Sequence, residues 1–216
     1  NFRQHRQYFY CLPSAIEDNY ILSNFDPIQR LTYFSITSDW QWHDRIVKGL
    51  SLNSYYTADS YSTRENEISF KSKFQLDFGS IHLTAIPKIN ILSTTFKEDF
   101  YTRLENELFS GIGGVSLYSS KEKGRFKFRL GIQSYFITGD NYAEKNLYYF
   151  PDIMITFKPE NSNFAPFLNL NGEFYQNSYR ALSHTNPYVA PAIRLRSSFS
   201  PYKIELGTRS SLSRGW

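Results

Sequence analysis

The side chains of this chain that could do acid–base, nucleophilic or metal chemistry are few. There are four histidines, His5, His43, His82 and His184, and a single cysteine, Cys11. The richest local set is Asp39-Trp40-Gln41-Trp42-His43-Asp44, where an aspartate beside an imidazole could orient a general base on water. The same run also reads as a polar turn flanked by two tryptophans. That reading is the stronger, because His43-Asp44 falls on a short link between strands. His82 sits between Ile81 and Leu83 and so belongs to the polar side of a strand. A serine hydrolase could use it, yet no motif places a serine beside it. His184 falls in a long polar link and is expected to be a solvated loop residue. No spacing of histidine and cysteine fits a metal centre, and one cysteine excludes an internal disulfide. Gly111-Ile112-Gly113-Gly114 is followed by no helix, so it is not a phosphate loop. Glycines there let a strand bend or a neighbour approach closely. The sequence therefore predicts no catalytic residues, no metal, no cofactor and no enzyme.

The charges show a second pattern, with a period of two. Phe126, Phe128, Leu130 and Ile132 alternate with Arg125, Lys127, Arg129 and Gln133. Ile68, Phe70, Phe74 and Leu76 alternate with Ser69, Lys71, Lys73 and Gln75. In Tyr188–Trp216, Arg194 and Arg196 lie opposite Ile193 and Leu195, and Lys203, Glu205 and Arg209 lie opposite Tyr202, Ile204 and Leu206. Successive side chains of a strand point to opposite faces, so each segment has one apolar and one polar face. Arg125, Lys127, Arg129, Arg194, Arg196, Lys203, Glu205 and Arg209 are thereby predicted to share the inner face of a closed sheet. If that interior held water, their field would favour anionic solutes. If it were packed, they would form cross-strand ion pairs, and packing is the better-supported reading.

The elements that must carry these faces are strands. Alternation predicts them at about 31–43, 45–58, 66–78, 80–95, 107–119, 124–139, 147–158, 164–177, 188–200 and 202–216, with a first strand at Arg6–Leu12 inside an irregular segment, 1–30. Several run to a dozen residues, nearer the 9–11 that cross a bilayer at a tilt than the 5–6 of an ordinary strand. Mean hydropathy is −0.47, and no window of 18 apolar residues exists, so no transmembrane helix is predicted. Barrel strands dilute their apolar residues by alternation. The 19 Phe, 17 Tyr and 3 Trp suit a lipid–water boundary. The net charge of +4 is scattered rather than gathered in a block, which argues against nucleic acid as a partner.

The links between strands carry the strongest argument. Short ones near His43-Asp44, at Gly79, at Ser120–Lys123, at Glu160–Asn163 and at Ser200-Pro201 alternate with longer ones at Thr57–Glu65, Thr95–Asn106, Gly139–Asn146 and Asn177–Pro187. Tight periplasmic turns and longer outer loops give this alternation in an up-and-down outer-membrane barrel. The fold expected is all-β: an antiparallel up-and-down transmembrane β-barrel of 10–11 visible strands, with 31–216 as the barrel meander. By the same parity the strand at 202–216 stops at the outer rim. Either a closing strand is then missing and the intact barrel has 12 or more, or the polarity is inverted and Trp216 ends a ten-strand barrel.

Phe150-Pro151-Asp152, Tyr175-Gln176-Asn177-Ser178-Tyr179-Arg180 and Asn186-Pro187-Tyr188-Val189-Ala190-Pro191 resemble a pattern in uncharacterised outer-membrane proteins of Bacteroidota, TonB-dependent-receptor-like barrels without a plug, over about residues 106–216. The resemblance implies a bacterial outer-membrane location, contact with outer-membrane lipid, and membership of larger envelope machines with other outer-membrane or periplasmic proteins. Three functions follow in order: a non-enzymatic structural or accessory subunit, a porin-like or transport barrel for small solutes, and a barrel hydrolase using His43 or His82.

Overall fold

In a computed structural model of the chain, residues 2–8, 28–43, 46–60, 62–79, 81–96, 106–139, 146–160, 163–186 and 195–210 are described. They form one antiparallel sheet in which every strand pairs with its neighbour in sequence. The strands are β1 (Phe2–Tyr8), β2 (Ile28–Gln41), β3 (Val47–Asp59), β4 (Thr63–Phe78), β5 (Ile81–Phe96), β6 (Asn106–Lys123), β7 (Phe126–Gly139), β8 (Leu147–Phe157), β9 (Phe164–Tyr175) and β10 (Ser198–Ser210). A helix, α1 (Tyr179–Thr185), lies between β9 and β10. The alternating runs at 68–78 and 126–136 fall inside β4 and β7, as expected. Two of the tight turns, β4–β5 and β6–β7, are made by Gly79 and Gly124 with φ of +60° and +59°. Only glycine enters that region without strain.

The structure corrects several sequence expectations. Ser200-Pro201 is not a turn. β10 runs straight through it, and the register against β9 shifts between Ser200 and Lys203. Proline lacks an N–H, so a bulge in an edge strand accommodates it as well as a turn does. The link expected at Thr57–Glu65 shrinks to residues 60–62, because Thr57 and Glu65 pair across the ladder. The first strand is Phe2–Tyr8 rather than Arg6–Leu12, and Phe9–Leu12 lie outside the described residues. The visible strands thus number ten. The tight links 42–46, 79–80, 124–125 and 158–163 still share one rim. β10 runs toward that rim, the reverse of the direction expected for a strand at 202–216. β1 and β10 are the two edges of the sheet and are not paired with each other.

The sheet is curled. The backbone N–H of Tyr179 hydrogen-bonds the Glu65 side chain on β4. Along a flat sheet β4 and β9 lie five spacings apart, about 24 Å, whereas the chain from Tyr175 to Tyr179 reaches at most about 14 Å. The face that meets α1 is therefore concave. It carries Leu31, Tyr33, Tyr55, Thr57, Glu65, Glu67 and Thr94 and, further round, Ile112, Gln133, Tyr135, Asp152, Asn169 and Asn171, placed there by the cross-strand register.

The outward face is largely apolar, and the concave face holds most of the buried polar groups. Gln29, Thr57, Thr63, Glu65, Thr94, Ser110, Asp152 and Asn169 are buried on the inside. Phe34, Ile36, Ile68, Ile132, Phe136, Ile204 and Leu206 are exposed on the outside. Along β2–β10 the charged positions of the outward face sit only near the strand ends. Arg30, Arg64 and Glu107 lie toward the rim of long links; Lys121 and Lys123 lie toward the rim of tight turns, with Lys48 in the bulge that opens β3. Two apolar clusters fill part of the inside. One is Ile112, Tyr135, Ile137, Phe150 and Phe174; the other is Leu31 and Tyr179, with Tyr33, Leu182 and Leu195 against them.

Candidate functional site

The densest polar arrangement lies where α1 crosses the concave face. Ser178 starts the helix: its backbone is extended and its hydroxyl accepts from the Ala181 N–H at 3.1 Å. A serine at this position satisfies one of the free N–H groups of the first turn. Glu65 satisfies the next two. Its carboxylate accepts from Tyr179 N at 2.6 Å and Arg180 N at 2.9 Å, and from the Thr94 hydroxyl at 3.1 Å. A buried carboxylate is tolerable here because backbone donors and the positive end of the helix face it.

The side chains of α1 complete the docking. Tyr179 is fully buried. Its hydroxyl donates to Asp59 at 2.7 Å and accepts from the Gln29 amide at 2.9 Å. Burial, and then the Asp59 carboxylate, hold this phenol well above its ordinary value, so it stays neutral. Asp59 also accepts from Thr63 N at 2.8 Å, which ties the β3–β4 turn to the helix. The Arg180 guanidinium meets Glu67 at 2.7 Å and lies 4.0 Å from the centre of the Tyr55 ring. Tyr33 hydrogen-bonds Ser183 at 3.2 Å and stacks on His184 at 4.7 Å. His184 thus lies in the docked helix rather than in a loop, and it is exposed, as expected of a solvated residue.

Four of the eight charges expected on the inner face lie there as paired groups. Arg129 meets Asp152 at 2.7 Å and lies over Tyr118. Lys127 meets Glu122 at 3.1 Å, and Lys203 meets Glu205 at 2.8 Å, with Asn169 donating to Glu205 at 2.9 Å. Arg209 is on the same face, over the Phe167 ring at 4.9 Å. Two others are corrected. Arg125 is an exposed residue of the β6–β7 turn, paired with Glu160 at 2.7 Å, because Gly124-Arg125 is the turn itself. Arg196 precedes β10, which begins only at Ser198, and its carbonyl accepts from Asn177 at 2.6 Å. Arg194 lies outside the described residues.

Compared with known proteins, the chain matches no family model, no curated protein and no solved structure. The chemistry of the site rests on its own geometry. His43 is exposed at the tight-turn rim, and Asp44 lies outside the described residues. His82 pairs with Asp77 in the exposed β4–β5 hairpin. Neither imidazole is near α1's docking site by register. Among the described residues no group of three or more His, Cys, Asp and Glu could hold a metal ion. The glycine expectation holds at Gly114, where a Cβ would meet Ser134 O at 2.9 Å and the Tyr135 ring at 3.1 Å. Its absence lets Lys88 and Tyr135 pack together, with the Lys88 amine 4.2 Å from the ring centre. Sequence reasoning missed α1 and its acceptors Asp59, Glu65 and Glu67. The readable signals were Ser178 as a cap and Asn186-Pro187 as a stop.

Proposed function

We propose that this protein is a bacterial outer-membrane β-barrel protein, non-enzymatic, whose interior is held closed by its own helix and which serves as a structural or accessory subunit of an outer-membrane assembly. The observation that carries the reading is the outward belt. From Phe109 to Ser119 the outward positions of β6 are uncharged, about 34 Å along the strand and about 26 Å along the membrane normal at a tilt near 40°. That is the height of the apolar band of an outer-membrane barrel. No described helix is long and apolar enough to cross a membrane. The crossing is made by strands.

The subunit reading draws support from α1, which the inward carboxylates Glu65, Asp59 and Glu67 hold against the concave face. A porin would leave such groups to water and solute. The interior ion pairs Arg129–Asp152 and Lys203–Glu205 balance in sign and favour packing over anion selectivity. Purification from native membranes after gentle extraction tests the reading: envelope proteins copurify in fixed proportion, and a monodisperse single protein contradicts it. Planar-bilayer recording separates the transport alternative, which requires steady conductance from the unmodified protein.

A further inference from the structure

The β6–β7 hairpin, Lys121-Glu122-Lys123-Gly124-Arg125-Phe126-Lys127-Phe128, carries a charge arrangement that neither the sheet nor α1 uses. By register Lys121 lies across from Phe128 and Lys123 across from Phe126. All four positions are on the outward face. Phe126 stacks against Phe128 at 5.9 Å and packs on Phe157 of β8 at 5.0 Å, so three rings form an apolar platform just inside the rim. The hairpin's carboxylate does not face them. Glu122 is on the inward parity and is held by Lys127 and Lys158. Glu160 is held by Arg125. Lys121 and Lys123 are exposed beside the rings, with no carboxylate across the ladder.

We propose that this hairpin binds the phosphate of anionic phospholipid headgroups, with Lys121 and Lys123 on the phosphate and Phe126, Phe128 and Phe157 on the upper acyl chain. The inference rests on the membrane reading above. A lysine at the end of a lipid-facing strand lays its methylenes along apolar neighbours and lifts its ammonium to the headgroup level. Two on one ladder, with an aromatic platform below, match a headgroup that carries net negative charge and an attached chain. The tight-turn rim is the periplasmic one in such barrels, so the ligand is a lipid of that leaflet.

Native mass spectrometry of the detergent-extracted protein, given equimolar phosphatidylglycerol and phosphatidylcholine, tests this. The expected result is retention of phosphatidylglycerol over phosphatidylcholine on the order of tenfold. The preference falls to parity in the Lys121→Gln/Lys123→Gln variant and persists in Lys121→Arg/Lys123→Arg. A glutamine variant that keeps the wild-type preference overturns the proposal, as does a wild type without one. Displacement of the lipid by millimolar inorganic phosphate also overturns it, because that describes a plain anion site. Flotation with lipid vesicles is run first: protein that never enters the lipid fraction sinks the membrane reading itself, whereas inserted protein without lipid preference sinks only this inference.

Discussion

The Glu65 carboxylate accepts a hydrogen bond from the backbone N–H of Tyr179 at 2.6 Å, across 114 residues of sequence. This contact fixes the curl of the sheet and the position of α1 together. Removing a charged acceptor from buried donors costs about 2–3 kcal/mol. In Glu65→Ala the helix is expected to leave its seat while the strands persist. Hydrogen exchange reads this at the amides of Leu182 and Asn186, which bond Ser178 O and Leu182 O within the helix. Unchanged protection in the variant contradicts a docking role for Glu65.

Arg180 and Glu67 form the second anchor, both largely shielded from solvent. A double-mutant cycle of Arg180→Met and Glu67→Gln is expected to give a coupling of about 1–3 kcal/mol in unfolding experiments in detergent. A coupling near zero assigns the pair to the solvated surface.

The neutral Tyr179 phenol sets a pH limit. Its folded value is raised by burial and by Asp59, above the ordinary 10.0. The stability it contributes is therefore fully present below the ordinary value and is lost as pH rises through the folded one. Thermal unfolding is expected to be flat between about pH 7 and 9 and to weaken above about pH 10, with a smaller loss in Tyr179→Phe. Wild type and variant that weaken alike remove Tyr179 from this role.

Outward and inward positions on β7 are expected to respond oppositely to charge. Ile132→Arg places a cation in the middle of the outward belt and is expected to cost about 2–4 kcal/mol of folding in lipid. On a water-exposed surface the same change costs under about 0.5 kcal/mol. Refolding into vesicles, followed by heat-modifiable gel mobility, reads the difference. Ile132→Arg refolding as efficiently as wild type contradicts a lipid-facing belt.

Much of the sheet was legible because its information is local. Each strand announces itself by a period of two, as in Phe126–Ile132, and Gly79 and Gly124 mark turns that only glycine makes readily. Ser200-Pro201 misled because turn and bulge share the same local chemistry. Only the pairing of Ser200 with Glu173 and of Lys203 with Asn171 distinguishes them. Arg125 was misplaced for a related reason, since parity cannot say where a strand stops. The docked helix was hidden more deeply. Seven residues are too few to show a helical period, and α1 is held mainly by groups far away in the chain: Glu65, Asp59 and Gln29. The inward charges were placed by alternation, but their partners, such as Asp152 for Arg129, required the register.

The central claim is that the apolar face meets lipid. Quenching of a single tryptophan by brominated acyl chains tests it most directly. In a background with Trp40, Trp42 and Trp216 changed to phenylalanine, a reporter at Ile132→Trp faces outward and one at Phe167→Trp faces the interior. Reconstituted in brominated phosphatidylcholine vesicles, the outward reporter is expected to lose most of its emission and the inward one to keep it. Equal emission from the two, or no quenching at position 132, contradicts the account.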